Sequence, residues 1–315
     1  MATIGSDTGH LAQLIRAAAA APSIHNSQPW RFHATAGSVQ ICADRSRQLR
    51  VADPEGRGLL LSCGAAATNL QVAAAELGYR ATLRTAAEPG PVATVDLAPG
   101  HRPSGPERLL ARAIWRRHTN RYPFAPAPVP GPVRDDLTAA AAAHGARLDL
   151  LEPARASTLL RFATDVTDIL ADKAEERAEL AAWVRVDEEG DDGVPAAAFG
   201  PQPVSRSPLR DFGLGTHLPD RPVTRFEPDP LVAVLYTGGD DPADWVAAGV
   251  ALEYVLLTAT THELASSFLY QPVQISDLRW LTRPAASHAQ MALRLGYPTS
   301  PTRPVHRRDP RDLLG

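Results

Sequence analysis

Residues 64–78 read GAAATNLQVAAAELG, and residues 249–264 read GVALEYVLLTATTHEL. Both segments begin at a glycine, continue as a long apolar helix and close with Glu-Leu. The similarity predicts two copies of one α+β unit in a single chain, although two Ala-rich helices can also resemble each other by chance. The two complete helices are predicted over residues 58–77 and 245–263.

The rest of the chain divides into two units around these helices. The first unit, residues 1–104, is predicted to start with a helix that ends ahead of Pro22 and to continue into a hairpin, because Trp30 and Phe32 alternate with polar residues. Strands are expected at 80–84 and 93–97. The second unit, residues 105–315, is predicted to contain helices at 109–117, 133–144 and 159–183, and strands at 146–152, 231–237 and 291–297.

Residues 188–230 show no helical or strand period and are dense in Gly, Pro and Arg. A loop of this length inside a compact chain is usually a lid, a binding loop or a disordered segment. Because Trp183, Phe199, Phe212 and Phe226 punctuate the stretch, we expect an ordered cover over about residues 188–226 rather than a free linker. We call it the lid segment.

The composition excludes several classes of protein. The formal net charge is -3 with 21% charged residues, so no basic excess points to nucleic acid or an anionic membrane. Cys42 and Cys63 are the only cysteines and form no CxxC pattern, which argues against a disulfide scaffold and a zinc site and favours the cytoplasm. No signal peptide and no run of roughly 18 uninterrupted apolar residues is present.

The segment APSIHNSQPWRF, residues 21–32, carries many polar groups between a helix and a strand. Asn and Ser in such a place are usually turn formers. Trp30 and Phe32 should anchor the segment in the core, however, and polar groups held beside buried aromatics need partners. A bound polar ligand would supply them.

The segment WRRHTNRYPF, residues 115–124, places three arginines within six residues at the end of a helix. One arginine is explained by favourable charge at a helix C-terminus. Three, interleaved with His118, Thr119 and Asn120, indicate an anion site in which guanidinium groups and a hydroxyl surround a phosphate.

Other chemistries lack their motifs in this sequence. THEL at 261–264 has no second histidine of a zinc protease helix, no GxSxG elbow occurs, and GLG at 213–215 lacks dinucleotide-binding spacing. An anion site without an obvious nucleophile or metal fits a cofactor that brings its own chemistry.

Together, APSIHNSQPWRF and RRHTNRYPF resemble the nitroreductase family of FMN proteins, in its Acg-like branch. The resemblance continues through DPEGRGLLLSCGAAATNLQVAAAELGY, DGVPAAAFGP, DDPADWVAAGVALEYVLLTAT, SSFLYQPVQ and MALRLGYP. It implies an α+β, nitroreductase-like fold of two tandem halves, with central antiparallel or mixed sheets flanked by helices. Family dimers bind FMN between subunits, so the chain would be a fused pseudo-dimer with one FMN.

The resemblance also implies roles for individual residues. Arg117, Thr119 and Arg121 match residues that contact the flavin phosphate or the pyrimidine edge, and Arg121 is expected to stabilise negative charge at N1/O2 during catalysis. Arg303 matches a basic tail residue on the phosphate, with Arg307 and Arg308 as alternatives. The full predicted cofactor-binding set is Pro22, Ser23, His25, Asn26, Gln28, Arg116, Arg117, Thr119, Arg121, Leu269, Gln271, Pro272 and Arg303.

Three functions follow from the resemblance. The first is an FMN-dependent oxidoreductase that passes hydride or electrons through flavin N5 from NAD(P)H or a substrate to a small electron-poor acceptor such as a nitroaromatic or quinone. The second is a protein that stores FMN under the lid segment without NAD(P)H turnover. The third is a specialised flavin oxidase or dehydrogenase of a biosynthetic pathway. The expected assembly is a monomeric pseudo-dimer or a homodimer, with no nucleic-acid or membrane partner.

Overall fold

Helices and strands alternate along the chain in a computed structural model that describes residues 8–185, 190–209, 211–213, 221–274 and 287–315. The helices are α1 (Thr8–Ala19), α2 (Arg57–Glu76), α3 (Gly105–Arg116), α4 (Gly131–Ala142), α5 (Pro153–Asp172), α6 (Ala174–Ala182), α7 (Pro242–Thr261), α8 (Gln271–Gln274) and α9 (Pro310–Leu313). The strands are β1 (Trp30–Ala34), β2 (Ser38–Ala43), β3 (Tyr79–Thr85), β4 (Ala93–Pro99), β5 (Arg147–Leu150), β6 (Val184–Arg185), β7 (Val194–Pro195), β8 (Gln202–Pro203), β9 (Val223–Thr224), β10 (Leu231–Thr237), β11 (Ala265–Leu269) and β12 (His288–Gly296).

Two four-stranded sheets have the same topology. The first has the order β1-β2-β4-β3 and the second the order β5-β10-β12-β11, and all neighbours in both sheets are antiparallel. In each sheet a helix precedes the first strand, and a 20-residue helix, α2 or α7, joins the second strand to the third. The α+β class is therefore confirmed, and the repeated topology agrees with the expectation of two related halves.

The two long helices cross at the glycines that open the repeated sequence. A Cβ atom on Gly64 would lie 2.1 Å from the carbonyl oxygen of Val246, and one on Gly249 would lie 2.0 Å from that of Leu61. Real Cβ atoms cannot approach other atoms so closely. The two helix backbones can therefore touch at this point only because both residues are glycine. Both helices are long and apolar enough to cross a membrane, but most of each is buried inside the protein, as in core helices of soluble proteins.

Gly78, which follows α2, and Glu263, which follows α7, are separated by the same number of residues as Gly64 and Gly249. Gly78 has φ +87° after α2, and Glu263 has φ +61° after α7. This left-handed conformation commonly ends helices, usually with glycine. The repeat therefore extends to the helix ends, although only the first helix has the glycine that predicts its end.

Two of the longer elements differ clearly from the sequence-based prediction. The helix predicted over 159–183 is two helices, α5 and α6, which begin at Pro153 and break where Lys173 is extended, with ψ 124°. Neither Gly nor Pro marks this break. Strand β11 was not predicted, because its buried Ser266 and Ser267 interrupt the apolar pattern.

The arginine-rich segment and the C-terminal tail both reach the boundary between the halves. Thr119 forms an isolated β-bridge with Ser266, and the backbone N–H of Asn120 donates to the Ser266 carbonyl at 2.8 Å. Residues 119–120 therefore lie along the free edge of β11. The tail returns from the second half to the first, where Leu313 is buried in the core and Gly315 N donates to the Phe32 carbonyl at 3.0 Å.

Candidate active site

A cavity of about 140 Å³ lies between the two halves and beneath the lid segment. We call it the main cavity. The first half contributes residues 22–25 and one face of α2, including Gly58 and Ser62. The second half contributes Thr119, Arg121, Ser267, Phe268, Tyr270 and Gln271. The lid segment contributes Phe199, Pro201, Pro203, Asp211, Phe212, Arg221 and Phe226. Most of the wall is apolar, as in sites for organic ligands.

The wall made by residues 22–25 depends on an unusual backbone. A short 3-10 helix, Ile24–Asn26, is followed by an extended strand, and φ is +51° at His25, +56° at Asn26 and +48° at Gln28. Three non-glycine residues with left-handed φ in so short a run are uncommon and cost free energy, and such strain concentrates at functional sites.

Asn26 and Gln28 hold this backbone by binding neighbouring segments. Asn26 Nδ2 donates to the carbonyls of Gly193, at 3.1 Å, and His306, at 3.0 Å. Gln28 Nε2 donates to the Asp191 carbonyl at 2.6 Å, and its Oε1 accepts from Arg308 N at 2.9 Å. These side chains therefore fasten the lid segment and the tail to the first half.

The predicted cofactor-binding residues of this segment differ in their access to the two spaces. Gln28 is fully buried, its amide is occupied by protein partners, and it lines neither the main cavity nor the recess described next. Pro22, Ser23 and His25 do line the main cavity. His25 also contacts the edge of the Phe212 ring, with 5.5 Å between ring centroids.

A smaller recess of about 40 Å³ continues from the main cavity. We call it the anion recess. Its lining residues are Pro22, Ser23, Asn26, His118, Thr119, Arg121, Val194, Val305 and Arg307. Pro22, Ser23, Thr119 and Arg121 line both spaces, so the two are contiguous. Asn26, which lines the recess only, has a buried Oδ1 that accepts no hydrogen bond from the described residues.

Three arginines, Arg117, Arg121 and Arg307, form a cluster at the recess. Burial lowers the pKa of Arg121 to about 10, and burial together with the charges of Arg117 and Arg121 lowers that of Arg307 to about 9, although Glu253 opposes this effect. Burial and the nearby Arg117 and Arg307 charges also lower the pKa of His118 to about 4. The recess thus holds an excess of positive charge.

The carboxyl end of α1 and Glu253 compensate part of this charge. Arg307 Nε donates to the Ala19 carbonyl at 2.9 Å, and Arg117 Nη2 donates to the Ala20 carbonyl at 3.0 Å. A helix C-terminus carries about half a negative charge. Three guanidinium groups set against one carboxylate and this helix end leave an excess close to the charge of a phosphate group, about -1.5 to -2 at pH 7.

Arg117 and Arg116 do not line the recess. Arg117 lies behind it, almost fully buried, with Nε 3.4 Å from Glu253 Oε1 on α7. Arg116 is exposed and pairs with Glu263 at 2.6 Å on the outer surface. Arg116, which the resemblance placed on the cofactor, lines neither space, because the last turn of α3 directs its side chain to solvent. The predicted direct phosphate contact of Arg117 does not fit its position.

Of the predicted tail residues, the structure favours Arg307. Arg303, the expected residue, is exposed and lines neither space, whereas its alternative Arg307 lines the anion recess. At the end of β11 and just after it, Gln271 lines the main cavity, whereas Leu269 and Pro272 are buried and do not line it. A strand alternates its side chains, which explains why Leu269 points into the core.

Tyr270 and Asp53 form a contact between the halves that the sequence motifs did not predict. Tyr270 lines the main cavity, and its hydroxyl donates to Asp53 Oδ1 at 3.2 Å. Asp53 also accepts from the backbone N–H groups of Gly58 and Leu59 at 2.9 and 2.8 Å, and burial raises its pKa. Asp53 thus caps α2 and fixes the tyrosine; the DPEG sequence, residues 53–56, was the available signal.

The described part of the lid segment is built around Arg121. Arg121 Nη1 donates to the Ala198 carbonyl at 3.0 Å, and its guanidinium lies 4.9 Å from the centre of the Phe212 ring. Gly200, with φ +74°, packs so closely on the Arg121 backbone that a Cβ atom would lie 2.3 Å from its carbonyl oxygen. The aromatic residues of this segment were noticed in the sequence, but Asp211 and Arg221, which form an ion pair in the wall, gave no signal.

The sequence has clear relatives. A Mycobacterium tuberculosis (strain CDC 1551 / Oshkosh) protein with the provisional name NAD(P)H nitroreductase is 34% identical over 308 residues, covering 92% of this chain and 86% of the relative. Another protein of that strain, provisionally named NAD(P)H nitroreductase acg, is 30% identical over 292 residues, covering 91% and 85%. No family model matches the sequence.

Similarity to solved structures is weaker. A provisionally named nitroreductase from Anabaena variabilis is 11% identical, covers 92% of this chain and 88% of its own, and has a TM-score of 0.49. A nitroreductase with bound FMN from Desulfitobacterium hafniense is 15% identical, covers 66% and 97%, and has a TM-score of 0.41. Neither likeness is close enough to bear on the function of this chain.

Proposed function

The chain belongs to the nitroreductase family, and from this premise we propose that it is an FMN-dependent oxidoreductase that holds one FMN between its two halves. The observation that carries the proposal is the continuity of an apolar cavity with a recess of excess positive charge. FMN combines an aromatic ring system with a phosphate, so its two ends match the two spaces. The two halves, residues 1–104 and 105–315, would each supply one wall.

The donors and acceptors of the recess fit the polar part of FMN. Arg121 and Arg307 would bind the phosphate through charge-assisted hydrogen bonds, with the hydroxyls of Thr119 and Ser23 nearby. The buried Asn26 Oδ1 would accept from a hydroxyl of the ribityl chain. Arg117 would support these residues from behind.

When bound, FMN would supply hydride and electron transfer, which none of the side chains at the site can provide. The task of the protein is then binding, electrostatics and exclusion of water. Arg121, at the junction of the two spaces, would stabilise negative charge at the pyrimidine edge of the ring system. The aromatic residues of the lid segment would keep water from the same region. The acceptor would be a small electron-poor molecule such as a nitroaromatic or quinone, and NAD(P)H the donor.

Anaerobic mixing tests this function. Purified protein is reconstituted with FMN, and the flavin absorbance near 450 nm is followed after addition of NADH or NADPH, with and without a nitroaromatic or quinone acceptor. We expect bleaching by one of the donors and recovery of the colour with the acceptor. A protein that cannot be reconstituted with FMN would refute the proposal.

A second function, storage of FMN without turnover, is favoured by one specific observation. The lid segment binds both the guanidinium and the backbone of Arg121, and Phe199, Phe212 and Phe226 line the main cavity. If these contacts persist with FMN bound, a nicotinamide could not reach the ring. Lasting flavin colour with both donors, in protein that retains FMN, would support storage instead of oxidoreductase activity.

A further inference from the structure

A buried carboxylate behind the anion recess has few hydrogen-bonding partners. Glu253 on α7 is fully buried, and its Oε1 lies 3.4 Å from Arg117 Nε. Neither carboxylate oxygen accepts a hydrogen bond of standard geometry from the described residues, and Arg117 Nε and Nη1 donate none. A buried charge with such incomplete compensation is costly, so the protonated form competes with the ionised form.

Three groups face this carboxylate, each from a different segment. Arg117 approaches from the end of α3, Arg307 from the C-terminal tail and the Asn69 amide from α2. Burial raises the pKa of Glu253 to about 7, against the lowering effects of Arg117, Asn69 and Arg307. The ionised form therefore depends on two guanidinium groups, one of which lines the anion recess.

The position related to Glu253 in the first half carries no charge. The sequence spacing that relates Gly64 to Gly249 relates Thr68 to Glu253. Thr68 is fully buried too, and its hydroxyl donates to the Val250 carbonyl at 3.1 Å. The carboxylate thus occurs only in the half that also carries the arginine-rich segment.

We propose that Glu253 is a positioning residue of the anion recess that takes up a proton from solvent when a phosphate group binds at Arg307 and Arg121. This inference rests on the proposed FMN site and deepens it. Without the anion, Arg117 and Arg307 stabilise the carboxylate. A bound phosphate neutralises the field of Arg307, so the carboxylate becomes the neutral acid while Arg117 remains held by the Ala20 carbonyl.

The sign of the pH dependence follows from this coupling. Since binding consumes a proton, FMN affinity falls as pH rises above about 7, by up to about tenfold for each pH unit. The phosphate group itself acts in the opposite direction, because its second ionisation, near pH 6, favours binding as pH rises and is nearly complete by pH 7.5. The two contributions are therefore distinguishable by sign.

Calorimetry on the wild-type protein decides the question without a variant. FMN is titrated into FMN-free protein at pH 7.5 in two buffers with different ionisation enthalpies, and the difference in heat gives the protons exchanged. We expect uptake of roughly half to one proton per FMN. Binding with no exchange, or with proton release, overturns the inference while leaving the FMN site intact.

Substitutions locate the proton. Glu253→Gln should abolish the uptake and flatten the pH dependence of the FMN dissociation constant between pH 7 and 8.5. Glu263→Gln, which changes an exposed carboxylate just after the same helix, should retain both. If Glu253→Gln folds and still takes up a proton, Glu253 is not the acceptor.

Failure of the proposed function gives a separate result. If FMN does not bind, inorganic phosphate titrated in the same two buffers tests the recess by itself. Proton uptake with phosphate keeps the inference, whereas absence of phosphate binding, or binding without uptake, overturns it.

Discussion

Neighbouring arginines have three different environments, which motif matching alone could not distinguish. Arg116 is on the surface, Arg117 is buried behind the anion recess and Arg121 lines it. Thr119 and Arg121 of this motif line both the main cavity and the anion recess. The motif could not reveal the environment of Arg117, because this depends on Glu253, which is far away in sequence and lies in a helix that otherwise reads as an apolar core element.

The proposed phosphate site predicts that substitutions of Arg307 and Arg116 differ in their effect on FMN affinity. Arg307→Ala should raise the FMN dissociation constant about 10- to 100-fold, because a charge-assisted hydrogen bond contributes on the order of 1.5 to 3 kcal/mol. Arg116→Ala should leave it unchanged. Fluorescence titration of FMN measures both, and circular dichroism checks the fold. Equal losses would show that the effect is general positive charge rather than contact in the recess.

Glu253 predicts a pH-dependent stability for the FMN-free protein. Its folded-state pKa of about 7 lies above the unfolded value near 4.3. The folded state therefore binds more protons between these values, and the free energy of unfolding should fall by about 3 kcal/mol as pH rises from 4.5 to 7.5. Urea denaturation across this range measures the change. In Glu253→Gln the decline should be smaller by that amount; an unchanged profile would contradict the assignment.

At the scale of elements, the long helices and paired strands follow from local pattern, and the close contacts do not. The sequence predicted α2 and α7, as well as their shared glycine start. It could not show that Gly64 and Gly249 meet, since that contact joins distant segments. It also missed β11, because two buried serines interrupt the apolar pattern and the contact of Ser266 with residues 119–120 joins distant segments.

The glycine crossing predicts a strong local effect of one methyl group. Gly64→Ala should destabilise the protein by about 1 to 3 kcal/mol or more, because the added Cβ would strike backbone atoms of α7 that cannot move aside. Gly131→Ala, at the first turn of α4 where no atom lies within 4 Å of the added Cβ, should change stability by less than about 0.5 kcal/mol. Urea denaturation compares them. Similar values for both would argue against the tight crossing.

An acidic residue of the lid segment forms ion pairs that hold this segment against the first half. Asp192 pairs with Arg185 at 2.7 Å and with Arg47 of the first half. Asp192→Asn should speed FMN dissociation about three- to tenfold, since partly exposed ion pairs contribute up to about 1 kcal/mol each. Asp96→Asn, which breaks an exposed pair with Arg84, should leave the rate unchanged. Fluorescence recovery after dilution measures the rate. Equal rates in the two variants would show that the Asp192 ion pairs do not slow FMN dissociation.

At the scale of the whole molecule, the chain carries two four-stranded sheets of the same topology but only one arginine-rich segment. We expect one FMN per chain and a monomer in solution, because α2 and α7 already bury one another. Absorbance of the released flavin against protein concentration, together with light scattering after gel filtration, measures both. Two FMN per chain would show a second site and refute the division of roles between halves.

The lid segment enters the second half between β5 and β10, the position at which β1 and β2 of the first half are joined by a short hairpin. In a symmetric dimer, such an insertion would occur in both subunits, and so would every buried carboxylate. A single gene that encodes both halves is free of that constraint. The second half can therefore carry the lid segment and Glu253, while the first half keeps a short hairpin and Thr68 at the related positions.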